Sequence, residues 1–73
     1  MKINIKSFLA AYNAEYEALY KNHIAGEQEA AAAFDEFCEK HGDFVGEFVR
    51  YRGDYITSDR EAAAFMFALE QFL

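Results

Sequence analysis

The sequence predicts a mainly α protein, a compact bundle of three to four helices, with either a short N-terminal strand or a small hairpin as its only extended structure. Three observations lead there. Apolar residues recur at i, i+3 and i+4 along most of the chain, which is the period of a helix with one buried face. No proline interrupts those stretches. Ser58 followed three residues later by Glu61 spells a capping box, the start signal of a helix.

The elements follow in order. Lys2 to Lys6 alternates polar and apolar side chains, as a short strand would. From Ser7 onward, Phe8, Leu9, Tyr12, Tyr16, Leu19, Tyr20, His23 and Ile24 form the stripe of an amphipathic helix, with Gly26 as its stop. A second helix is expected from about Glu27 to His41. Its early glutamates suit the positive N-terminal end of the helix dipole, and Lys40 and His41 suit the negative end. Its buried stripe is Ala30, Ala33, Phe34, Phe37, Cys38 and His41, and Gly42 would end it in the left-handed conformation.

Asp43 then reads as the cap of a shorter helix through Phe44, Val45, Phe48, Val49 and Tyr51. The competing reading is a hairpin over Phe48 to Thr57, turning at Gly53-Asp54. The last helix follows Ser58 and buries Ala62, Phe65, Met66, Leu69, Phe72 and Leu73, so the chain is expected to end docked. All of this makes one domain, residues 1–73, too small for a second core. A domain of this length buries only about 60% of its unfolded surface. Some of its eight phenylalanines and five tyrosines are therefore expected at the surface, or beneath a partner.

Several function classes lose their chemistry. Cys38 is alone and cannot form an intramolecular disulfide, which agrees with a reducing, cytoplasmic compartment. Met1 to Tyr20 is interrupted by Asn4, Lys6, Ser7, Asn13 and Glu15, so neither a secretory signal nor a membrane span is expected. Cys38 and His41 lie three apart on one predicted helix, but a nucleophile pair also needs an orienting group. Both fall on the apolar stripe, where cysteine serves as a small hydrophobe. Adding His23 still leaves a zinc site short of ligands within one chain. The four glycines are scattered and form no phosphate loop. No catalytic, cofactor-binding or metal-ligating residues are assigned, and an enzyme is not expected. Arg52-Gly53-Asp54 matches an adhesion tripeptide, yet its residues are common and read better as a turn or helix stop.

Charge is the informative property. Between Glu27 and Glu47 lie Glu27, Glu29, Asp35, Glu36, Glu39, Asp43 and Glu47, against one base, Lys40. That window carries the whole formal charge of −6, since the remaining residues hold six acids and six bases. Phosphates repel such a surface, so direct binding to nucleic acid or anionic lipid is not expected. A protein with a basic surface is the expected partner. Glu29, Asp35, Glu36, Glu39, Asp43 and Glu47 are its candidate contacts, joined by the row Tyr12, Tyr16 and Tyr20, whose amphipathic rings suit an interface centre. The alternatives are an ordinary solvated helix face and a tyrosine row that forms half the core.

Duplex DNA carries a charge every 1.7 Å or so of axis. Seven acids over positions 27–47, at about 1.5 Å rise per residue, give one per roughly 4.5 Å. One helix is therefore too sparse to imitate both strands unless Glu15, Glu17, Asp59, Glu61 and Glu70, or a second copy, fill in.

Tyr51-Arg52-Gly53-Asp54-Tyr55-Ile56-Thr57, followed by the acidic, alanine-rich stretch Asp59 to Ala64, resembles a motif of the ArdA-type antirestriction proteins. Leu9-Ala10-Ala11-Tyr12-Asn13 is similar to another of their elements. The likeness covers about 20 of the 73 residues, in a chain much shorter and less acidic than that family. It implies DNA mimicry by a phage or plasmid protein in the cytoplasm of a bacterial host. The resulting expectation is a small acidic inhibitor of a host defence complex, of anti-restriction or anti-CRISPR type. The alternative is a structural or regulatory homodimer whose aromatic stripe forms the interface.

Overall fold

The computed structural model describes residues 3–22 and 25–73, which form three helices: α1 (Ile5–Asn22), α2 (Glu27–Arg52) and α3 (Asp59–Glu70). No strand occurs among the described residues. Where the alternation of Lys2 to Lys6 predicts a strand, Ile5 and Lys6 already belong to α1, and Lys2 lies outside the described residues. The reason is Asn4. Its side-chain oxygen accepts from the Lys6 and Ser7 N–H groups at 2.9 and 3.2 Å, satisfying donors that a helix start leaves open.

Gly26, expected as the stop of the first helix, instead precedes α2 directly. Its φ of 92° suits glycine, and its carbonyl accepts the Ala30 N–H at 2.9 Å. His23 and Ile24, assigned to the first stripe, lie outside the described residues. α2 consists of two helical segments that meet at a kink at His41 (φ −133°, ψ 40°), one residue before the expected stop at Gly42, which does not itself take the left-handed conformation. The left-handed glycine that ends it is Gly53, at φ 83°, whose N–H bonds the Val49 carbonyl at 2.9 Å. Residues 48–52 are helical, so the hairpin alternative does not form.

The start of α3 follows the sequence closely. Ser58 Oγ accepts from the Glu61 N–H at 3.2 Å. The Glu61 carboxylate reaches back to the Thr57 N–H at 3.2 Å, one residue earlier than in the usual box. It also accepts from the Thr57 and Ser58 hydroxyls, both at 3.1 Å.

Phe65 of α3 is the centre of the core. Its ring lies 4.8 Å from that of Phe8 on α1, and 5.2, 5.6, 5.9 and 5.1 Å from Phe34, Phe37, Phe44 and Phe48 on α2. Most of these pairs meet edge-on or tilted, as the ring quadrupole prefers. Ala62, Ala63, Ala64 and Ala68 are buried beside Phe65 and let both neighbours approach α3 closely. Phe8, Tyr12 and Leu19 seal the α1 side.

Five expectations about burial need correction. Ala33 and His41 are exposed, since the α2 stripe narrows to Phe34, Phe37 and Phe48, with Ala30 and Cys38 at its margin. Met66 is only half-buried. Leu73 is 81% exposed because α3 ends at Glu70, and Phe72 reaches the core only through an edge of the Phe8 ring, 5.8 Å away.

Truncating Phe65 to alanine should cost about 3–5 kcal/mol. Total stability for a domain this size is about 4–11 kcal/mol. Phe65→Ala is therefore expected to lower the urea midpoint drastically or leave the chain unfolded, while Ala32→Ser on the exposed α2 face leaves it unmoved.

Candidate functional site

The outer face of α2 carries the charge. Glu29, Asp35, Glu36, Glu39, Asp43 and Glu47 are all exposed, opposite the face that packs on Phe65. Glu29, Glu36, Asp43 and Glu47 follow one another at intervals of seven, seven and four, close to whole turns, so they run along one edge of the helix. Asp35 and Glu39 flank that row. The bend at His41 divides the strip, with Glu39 before it and Asp43 after it.

Its neutralisation is slight. Lys40 meets Glu36 at 3.3 Å, and both side chains are well exposed, so the pair is screened and weak. Arg50 is exposed at the end of the same edge, seven residues after Asp43, and the other two arginines are engaged elsewhere. Arg60 approaches Glu27 at 3.9 Å and lies over the Tyr20 ring at 5.7 Å. Arg52 turns inward. Glu27 therefore stands apart from the other acids of its window, half-buried at the α3 end.

Arg52 organises a polar seam that joins all three helices. Nη1 donates to the Tyr12 hydroxyl at 2.8 Å and Nη2 to the Tyr55 carbonyl at 3.0 Å. Nη2 also pairs with the Glu61 carboxylate, and Asp54 stands 3.7 Å away. The guanidinium carbon sits 5.4 Å from the centre of the Tyr12 ring and 6.0 Å from that of Phe48. Burial works against charge on Glu61, but Arg52, Thr57 and Ser58 outweigh it and hold the carboxyl below its ordinary range. Burial likewise opposes the Arg52 charge, yet Glu61 and Tyr12 raise its pKa above the ordinary arginine value. Burial pushes the Tyr12 hydroxyl up to about 12, against the pull of Arg52.

The tyrosine row is thus divided. Tyr12, 4% exposed, belongs to the core and the seam, so its ring is withdrawn from any surface contact. Tyr16 stacks beside it, with ring centres 6.1 Å apart, and is half-buried. Tyr20, at 69%, remains open. Tyr51 and Tyr55, which the row did not include, are also exposed. The adhesion-like tripeptide is a helix end, and its arginine is held inside the seam.

Cys38 is half-buried, and burial, then Asp35, pushes its thiol up, away from the reactive thiolate. His41 rests against the Phe37 ring at 4.7 Å. No cluster of three metal-ligating side chains exists among the described residues. No described helix is long and apolar enough to cross a membrane.

No protein-family model, no curated protein and no solved structure matches the chain. The likeness of residues 51–57 to antirestriction proteins rests on the motif alone, which spans the end of α2 and the approach to α3.

A group whose folded pKa is depressed adds stability above its unfolded value, about 4.3 for glutamate, and loses it as pH falls through the lower folded value. Glu61→Gln is expected to cost about 2 kcal/mol at neutral pH, the usual scale for hydrogen bonds to a charged group. It should also flatten the loss of stability as pH falls below about 4.3, read from urea midpoints across the acid range.

Proposed function

We propose that this chain is a small acidic, non-enzymatic binding protein. It would block a host nucleic-acid-handling complex, of anti-restriction or anti-CRISPR type, by occupying that complex's basic surface. One observation carries the reading: six exposed carboxylates run along α2 from Glu29 to Glu47 with a single lysine among them, while Arg52 and Arg60 are drawn to Glu61 and Glu27 and the exposed Arg50 lies beyond the last acid. Such a strip steers a cationic partner and raises the association rate. Residence then depends on packed contacts, for which Tyr20 and the half-buried Tyr16 are the members of the row still available. The motif likeness to ArdA-type proteins points the same way, towards a phage or plasmid protein acting in the bacterial cytoplasm.

The test is capture of host proteins on immobilised chain as salt rises from about 0.05 to about 0.5 M, which shortens the screening length about threefold. Wild type should retain a nucleic-acid-handling protein at low salt and release it at high salt or on addition of competing DNA. Glu36→Lys with Glu39→Lys should abolish retention without changing the circular dichroism spectrum. Unchanged retention by the double variant sinks the electrostatic mechanism.

The second reading, a structural or regulatory homodimer, is favoured by the exposed rings of Tyr20, Tyr51 and Tyr55. The inner stripe of α1 is not available to such a dimer, because Phe8, Tyr12 and Leu19 are buried within one chain. Sedimentation at low and high salt separates the readings: a tight dimer indifferent to salt supports this one, and a monomer removes it.

A further inference from the structure

Residues 54–57 join α2 to α3, and the backbone does little to hold them. The Gly53 N–H closes α2 on the Val49 carbonyl, and the Ala62 N–H opens α3 on the Ser58 carbonyl. Among the described residues, no backbone–backbone hydrogen bond reaches 54–57. Asp54, Tyr55 and Thr57 are exposed, and Ile56 alone packs against the core, half-buried. The segment is tied down instead by two side chains that also bind each other. Arg52 Nη2 donates to the Tyr55 carbonyl at 3.0 Å. Glu61 Oε1 accepts from the Thr57 N–H at 3.2 Å and from the Thr57 hydroxyl at 3.1 Å. Arg52 and Glu61 meet at Nη2 and Oε2. The remaining bond, from the Tyr55 N–H to Asp54 Oδ1 at 2.8 Å, stays within the segment.

Both ties therefore run through one carboxylate. Around it, α2 supplies the Arg52 guanidinium, the connection supplies Thr57 and Ser58, and α1 supplies the Tyr12 hydroxyl, which is joined to Glu61 through Arg52. Asp54, 3.7 Å from Arg52, is exposed, as is Asp59, and Arg60 turns to Glu27. A proton on Glu61 removes the ion pair and turns an acceptor into an O–H. The Thr57 and Ser58 hydroxyls can rotate to meet that O–H, but the guanidinium and the Thr57 N–H can only donate. The start of α3 does not share this dependence, because its Glu61 N–H bonds Ser58 Oγ without the carboxylate. We propose that residues 54–57 are an acid-released strap: protonation of Glu61 frees its Tyr55 and Thr57 ends together, while the three helices stay packed around Phe65. The strap stands apart from the acidic face of α2 and from any partner of that face. Its release falls on the acid side of an ordinary glutamate, since Arg52, Thr57 and Ser58 all favour the charged carboxyl.

The test is an acid titration of the full chain, with carboxyl carbons, backbone amides and near-UV circular dichroism followed together. Backbone order parameters over 54–57 should fall from about 0.85 to below about 0.6. That fall should share its midpoint with the Glu61 carboxyl carbon, below pH of about 4.3. Helix amides and the aromatic dichroism should hold to lower pH. Glu61→Gln should show the released strap at neutral pH, with the aromatic dichroism of wild type.

Loss of strap order and of aromatic dichroism at one pH overturns the proposal, because the chain then unfolds as a whole. A strap that stays ordered after Glu61 has titrated also overturns it, and leaves Ile56 as the group that holds the connection. A strap transition that follows the Asp54 carboxyl carbon overturns the assignment to Glu61. Should Glu61→Gln fail to fold, the titration of wild type decides by itself.

Discussion

The ring of Phe65 is the constraint on which the rest of the molecule depends. An 8.4 kDa chain has little interior, and aromatic side chains give the most buried area per residue. Placing one such ring where α1 and α2 both reach it joins three helices through a single contact set. The same geometry dictates its neighbours. With rings arriving from both sides, the positions around Phe65 on α3 have room only for Ala62, Ala63, Ala64 and Ala68. Large groups from α1 and α2 thus interdigitate with small ones from α3, and α3 is apolar on nearly all sides because it is covered on nearly all sides.

Charge follows from that packing. Once α3 is central, its N-terminal end meets the C-terminal end of α2, where Arg52 is carried inward over Phe48 and Tyr12. Glu61 is the carboxylate it finds there, already fixed by Thr57 and Ser58 as part of the helix start. A partly buried pair of this kind is held by its surroundings and stabilises only because its hydrogen bonds are complete. Arg60, one residue earlier on α3, is placed beside Glu27. Two of the three arginines are therefore gathered where the core brings the helices together, and between Glu29 and Glu47 the outer face of α2 is left to its acids and Lys40. Segregation of charge is here a consequence of the core.

Much of this was legible in the sequence, and the limits have physical causes. The α3 start was visible because a capping box is local: Ser58 and Glu61 are three residues apart and need nothing else. The exposed acids were visible because helical period alone sets them opposite Phe34 and Phe37. The seam was not, because Tyr12 and Arg52 are 40 residues apart and Arg52 and Glu61 nine apart across a turn. The break in α2 was visible within one residue, at His41 where Gly42 was expected to stop the helix, but its tightness was not: Phe37, Phe44 and Phe48 all contact Phe8 or Phe65, and a kink without a left-handed Gly42 keeps all three there. The tyrosine row was ambiguous in principle. A ring every fourth residue describes a core and a surface equally well, and only the position of Arg52 decides that Tyr12 goes inside.

Under the proposed reading, the geometry favours charge complementarity over literal imitation of a duplex. The acids that might fill the gaps in the strip are largely occupied. Glu61 is bound to Arg52, Glu17 pairs with Lys21 at 3.0 Å, and Glu15 accepts from Gln71 at 3.2 Å. Asp59 and Glu70 remain exposed, but they lie on α3 and not on α2. The kink at His41 also interrupts the strip between Glu39 and Asp43, whereas phosphates follow a regular path. A sparse, bent strip attracts a basic surface without matching it charge for charge. Discrimination among basic partners then has to come from packed contacts, and in the tyrosine row only the exposed Tyr20 and the half-buried Tyr16 are placed to make them.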